Sequence, residues 1–137
     1  MIGSSAEIQK LVFETLTGNA SIMATANGVY DRVPADPFGT KTSYVSFGPE
    51  DSHEDDSECI TGVSTTIQID VWSRKPGSVE CKMLTNLVRK ALHRKPLSLS
   101  ENALVDVWVK MVRIMRDPDG VTSHGVVQVT FTVEEPG

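Results

Sequence analysis

The chain has 137 residues, which predicts one domain over residues 1–137 that buries roughly 70% of its unfolded surface and needs no disulfide staples. Its 39% apolar and 23% charged residues exclude a wholly disordered chain. The net charge of −5 makes it a poor non-specific binder of duplex DNA, and no apolar run approaches the roughly 18 residues that cross a bilayer, so no membrane partner is expected.

A first helix is expected over 5–17, capped by Ser5, with Ile8, Leu11, Val12 and Leu16 on one face. Gly18-Asn19, residues that tolerate positive φ, would end it, and a short helix follows over about 20–25, closed by Asn27-Gly28. A short strand is predicted at 29–33, then a loop through Pro34 to Gly39, then a strand at 43–47 stopped by Gly48-Pro49. Residues 50–58 hold six of the eighteen acids, and without them the remainder would be close to neutral. They read as a solvated acidic loop. Both loops, 34–42 and 48–59, are long for this size and are expected to order only on assembly.

Residues 60–73 alternate most clearly: Val63, Thr65, Ile67, Ile69 and Val71 against Ser64, Thr66, Gln68, Asp70 and Trp72. That is a strand wetted on one side. Ser78 would cap a helix over 78–94, with Met83, Leu84, Leu87, Val88 and Ala91 on its apolar face and basic residues near its C-terminal end, where they favour the dipole. Two more strands are predicted at 103–116 and 125–134, joined by a turn at Pro118-Asp119-Gly120. The first carries apolar residues on both faces and is expected to be covered on both. The whole is α+β, with a mainly antiparallel sheet and the longer helices packed on one face.

Motifs for chemistry are scarce. The chain has no H-E-x-x-H, no C-x-x-C, no G-x-S-x-G and no phosphate-cradling glycine loop. Cys59 and Cys81 read as buried, inert thiols, and synthesis in the cytoplasm is the simpler expectation for two isolated cysteines and an N-terminus without a signal-peptide pattern. His53-Glu54-Asp55-Asp56 offers carboxylates to a hard cation but lacks EF-hand spacing, so a solvated charge run is preferred. Asp117, Asp119 and His124 form an acid–base set on paper, against which stands ordinary turn chemistry. Trp72, among polar neighbours, is either a residue under a loop or an exposed anchor for a partner. No catalytic residue, cofactor or metal is therefore assigned.

Five blocks carry a resemblance. They are Val29-Tyr30-Asp31-x-Val33-Pro34, Tyr44-Val45-x-Phe47-Gly48, Val71-Trp72-Ser73-Arg74-x-x-Gly77, Ala91-Leu92-His93, and Arg116-Asp117-Pro118-Asp119-Gly120-x-Thr122-x-His124-Gly125. In this order and spacing the chain resembles the tail completion, or tail terminator, family of tailed phages, prophages and gene transfer agents. It departs from that family at Thr42-Ser43-Tyr44, where an aromatic-Pro-Tyr entry is frequent, and in the high charge of its acidic segment. The resemblance implies a structural virion protein at the neck end of the tail, not an enzyme. It implies a ring, a hexamer, that caps the tail tube, stops its polymerisation and meets the head–tail connector or stopper, while DNA passes the lumen without specific binding. Another neck component, such as a head-completion or stopper protein, is the alternative; a metal-dependent hydrolase near Asp119 and His124 ranks below it. The candidate interface or lumen residues are Glu50, Asp51, Glu54, Asp55, Asp56, Glu58, Trp72, Arg74, Asp117, Asp119 and His124. The acidic segment either lines the lumen, where carboxylates repel phosphate, docks on a basic rim of the tube or connector, or stays a solvated loop.

Overall fold

The computed structural model describes residues 3–54 and 62–135. Its elements in chain order are helices α1 (Ser4–Thr17) and α2 (Ala20–Thr25), strands β1 (Ala26–Tyr30), β2 (Ser43–Glu54) and β3 (Gly62–Ser73), helix α3 (Val79–Leu92), and strands β4 (Ala103–Arg116) and β5 (Ser123–Glu134). The five strands form one sheet in the order β1-β2-β3-β5-β4. Only β1 runs parallel to its neighbour; the pairs β2–β3, β3–β5 and β4–β5 are antiparallel. This is the expected α+β architecture; every predicted element is present, α2 and β4 with the expected bounds and the others with shifted ends.

The shifts have local causes. α1 begins at Ser4, and Ser5 does not cap it. Its first turn is held instead from the far end of the chain: the Glu135 carboxylate accepts from Ser4 N at 2.9 Å and Ser4 Oγ at 2.6 Å, an anion where a helix start favours one. Ser5 Oγ donates to Glu50. Gly18 closes α1 with an ordinary φ of −79°, while Asn19 caps α2 by accepting from Ile22 N at 3.0 Å. Ser78 precedes α3 without a side-chain cap bond.

One face of the sheet is covered. Ile8, Val12 and Leu16 of α1, Leu84, Val88 and Leu92 of α3, and alternate residues of β3 and β5 (Ile67, Ile69, Val71; Val127, Val129, Phe131, Val133) share a single buried cluster. Gly125 lets α3 sit this close to β5, since a Cβ there would lie 2.1 Å from Thr85 Oγ1.

Three expectations need correcting. Gly48-Pro49 does not stop β2: the strand absorbs the pair as a register shift between Phe47 and Glu50 and continues to Glu54, with Glu50, Asp51 and Glu54 exposed along it. A bulge takes up residues that cannot join the ladder. Glu50–Glu54 is thus strand, not loop; Asp55, Asp56, Glu58, Cys59 and the predicted strand start at 60 lie outside the described residues. Secondly, β4 is not covered on both faces. It is the outermost strand, only Val107 is fully buried, and Val105, Trp108, Val112 and Met115 are exposed. Apolar residues on both faces are common to a central strand and to an edge that meets a partner, so the pattern alone could not separate them. Thirdly, loop 34–42 is already fastened within the subunit. Lys41 Nζ donates to Met23 O at 2.5 Å, Asn27 Nδ2 to Pro37 O at 3.0 Å, and Thr42 Oγ1 to the Glu80 carboxylate at 2.7 Å.

Candidate assembly surface

Of the residues singled out in the sequence, Trp72 and His124 lie together on the sheet face turned away from the helices, while Glu50 and Glu54 sit level with covered-face residues and Asp117 and Asp119 lie in the turn between β4 and β5. Strand alternation places Gln68, Asp70 and Trp72 of β3 on the face away from the helices, and the register sets Trp72 opposite His124 of β5 and Tyr44 of β2. The Trp72 and His124 rings stack, with centroids 3.8 Å apart and planes 11° from parallel. Tyr44 lies beyond Trp72 at 6.2 Å, Phe38 meets Tyr44 edge-on at 4.8 Å, and the Arg74 guanidinium covers Phe38 at 4.4 Å. The result is one continuous row, His124–Trp72–Tyr44–Phe38–Arg74, running across three strands and the 34–42 loop.

Polar bonds fix the row. Trp72 Nε1 donates to Ser46 Oγ at 3.0 Å. His124 Nε2 lies 2.7 Å from Asp70 Oδ1, the same oxygen to which Gln68 Nε2 donates at 2.9 Å. Asp70 is only 7% exposed. Its other oxygen fills the space beside Gly48, where an added Cβ would lie 2.6 Å away. Burial, and then the Asp117 and Asp70 charges, push the Tyr44 phenol above its ordinary value, so it stays a neutral hydroxyl. One hydrogen bond each orients the stacked Trp72 and His124 rings, giving the face an apolar body with polar edges.

The paper acid–base set does not come together. Asp119 serves its own turn: Oδ1 accepts from Val121 N and Thr122 N, each at 2.8 Å, and Oδ2 from Thr122 Oγ1 at 2.7 Å. Those bonds, to Thr122 first and then Val121, hold its carboxyl below the usual range. Gly120 completes the turn with φ +74°. His124 is bound to Asp70, a partner that lies 54 residues away and that the short-range motif could not reveal. Asp70 did have a signal: it sits two positions before Trp72 on the wetted face of an alternating strand. Tyr44 stood in one of the blocks that carry the family resemblance, whereas Phe38 had no signal beyond its aromatic character.

Cys81 is buried, and burial pushes its thiol up, away from nucleophilic use. Among the described residues no group of three or more His, Cys, Asp and Glu side chains is placed to hold a metal ion. Among them, too, no helix is long and apolar enough to cross a membrane.

The chain is thus an α+β subunit whose sheet has one packed face, one aromatic and polar face and open outer edges. The family model of tail completion protein gp17 matches residues 10–134, and the chain belongs to that family of structural virion proteins. It is 28% identical over 131 residues to the tail completion protein gp17 of Bacillus phage SPP1, covering 95% of this chain and 94% of that one. Its fold matches a chain in the virion of a native gene transfer agent particle with a TM-score of 0.84 and 26% identity, over 98% of this chain and 99% of the other.

Proposed function

We propose that this protein closes the end of a phage-like tail as a ring of identical copies, a hexamer, which stops growth of the tail tube and offers the joining surface to the head–tail connector. Membership of the tail completion family across residues 10–134 is the observation that carries this reading. The physical form of the chain supports it. A ring built from identical copies uses head-to-tail contacts, so each subunit must offer two different patches and further faces to the tube and connector. The aromatic row, the acidic strand end at Glu50–Glu54 and the exposed edge of β4 are such different surfaces on one small fold. Net negative charge suits a lumen through which DNA slides without being held.

Electron microscopy of particles assembled without this gene tests the reading. Tails of uncontrolled, excessive length and unattached to heads are expected. Tails of normal length beside separate filled heads would overturn tube termination and place the protein on the head side of the joint, as a stopper or head-completion component.

A further inference from the structure

We propose that neighbouring copies in the ring join by sheet augmentation, the free acidic end of β2 in one subunit pairing antiparallel with the free basic end of β4 in the next. The proposal rests on the ring reading above. Four observations carry it.

Both stretches are open strand edges. β1 pairs with β2 only from Ser43 to Ser46, so among the described residues no strand flanks β2 from Glu50 to Glu54 on that side. β4 ends the sheet on the other side. Its middle is capped by the tail of α3: Arg94 N donates to Val107 O at 2.9 Å, and Val109 N to His93 Nδ1 at 3.0 Å. The cap stops there, and among the described residues no strand flanks Lys110–Arg116 on the side away from β5.

Each open stretch carries one sign of charge. The β2 end has Glu50, Asp51 and Glu54; the β4 end has Lys110, Arg113 and Arg116 and no acid, and all six are exposed. Edge charges ordinarily prevent pairing. Here they repel β2 from β2 and β4 from β4 and attract only the unlike pair. That forbids a two-fold dimer and selects the head-to-tail contact from which a ring closes. Exposed Val112 and Met115, at 41% and 39%, supply apolar area between the basic side chains.

Strand direction permits the join. β2 is antiparallel to β3, β3 to β5 and β5 to β4, so β4 runs opposite to β2, and a rotated copy brings its β4 alongside β2 antiparallel without inversion.

The offset is also compatible. The register sets Ser52 level with Val107 through Thr65 and Phe131, so the basic stretch centred on Arg113 lies further along β4. That displacement is about 17–20 Å over a repeat of four strands, about 19 Å wide. A closed ring absorbs it by inclining its strands about 40–45° to the axis, the tilt that closed barrels adopt.

The test uses particles assembled in cells that lack the native gene and are complemented with variants. Reversing one edge, by Lys110→Glu, Arg113→Glu and Arg116→Glu or by Glu50→Lys, Asp51→Lys and Glu54→Lys, is expected to lower the fraction of head-joined tails about tenfold or more. Reversing both edges in one chain restores it. A second measurement places Ser52→Cys and Val112→Cys together in a Cys59→Ser chain and oxidises the particles; a ladder of disulfide-linked multimers is expected. Single-edge variants that melt like the unaltered protein and assemble normally would overturn the proposal, as would particles that hold several copies each yet give no ladder. One copy per particle by quantitative mass spectrometry would overturn the ring reading itself, which separates the two failures.

Discussion

The two faces of this sheet are made of the same strands and obey different rules. On the covered face, Val127, Val129, Phe131 and Val133 of β5 meet α1 and α3 in a cluster held by non-directional apolar burial. On the other face of the same strand, His124, Gln128 and Thr130 stand among hydrogen-bonded and stacked neighbours, with Thr130 Oγ1 2.8 Å from Thr66 Oγ1 and His124 between Trp72 and Asp70. Apolar packing tolerates any set of the right volume, whereas directional bonds fix one arrangement of particular side chains. The contrast leads us to propose that stability is concentrated on the covered side and recognition on the other. Substitutions should therefore separate the two.

The largest effect is expected on the covered face. Phe131 is the largest fully buried side chain, and Phe131→Ala should cost about 3–5 kcal/mol, a large share of the stability of a domain this size. Thermal and denaturant melting read it directly. A cost under about 1 kcal/mol would mean that the covered face is not where stability resides.

Trp72→Ala comes next. It removes the stack on His124 and the bond to Ser46, interactions worth about 1–2 kcal/mol together on a half-buried face. The subunit should still fold, but the fraction of head-joined tails should fall further than the melting shift accounts for. The comparison between the faces breaks if the variant melts as early as Phe131→Ala, or if it assembles like the unaltered protein.

Much of the fold was legible because its signals are local. The alternation of 63–73 marked both the strand and its wetted side, and the spacing of Ile8, Val12 and Leu16 marked the buried face of α1. What the sequence hid is non-local. Glu135 closing the start of α1, and Asp70 receiving His124, depend on which strands become neighbours. The same holds for β4, whose two apolar faces look like those of a central strand until the sheet order puts it outermost. At Gly48-Pro49 a true breaker was present, and a bulge accommodated it because cross-strand pairing with β3 resumes at Glu50. Trp72 and Arg74 stand two apart in the chain, but the row that joins them runs through Phe38 and Tyr44, which only the folded loop brings there.

The smallest effect belongs to neither face but to the turn that joins β4 and β5. The Asp119 carboxylate accepts three bonds from Val121 and Thr122, which hold its folded-state pKa below that of the unfolded chain. A depressed carboxyl stabilises the folded state fully above the unfolded value, about 4, and loses that contribution as pH falls through the lower, folded value. Asp119→Asn keeps one accepting oxygen but not the charge, so it should melt slightly earlier than the unaltered protein at pH 7 and together with it once the pH is low enough to protonate Asp119 in the folded chain. Because Asp119 is exposed, solvent keeps this difference well below that of either substitution on the sheet. A gap that persists unchanged at the lowest pH where the fold survives would mean the turn relies on the shape of Asp119 and not on its charge. If head-joined tails also fell in this variant at pH 7, the turn would move from the stability side of the comparison to the recognition side, alongside Trp72.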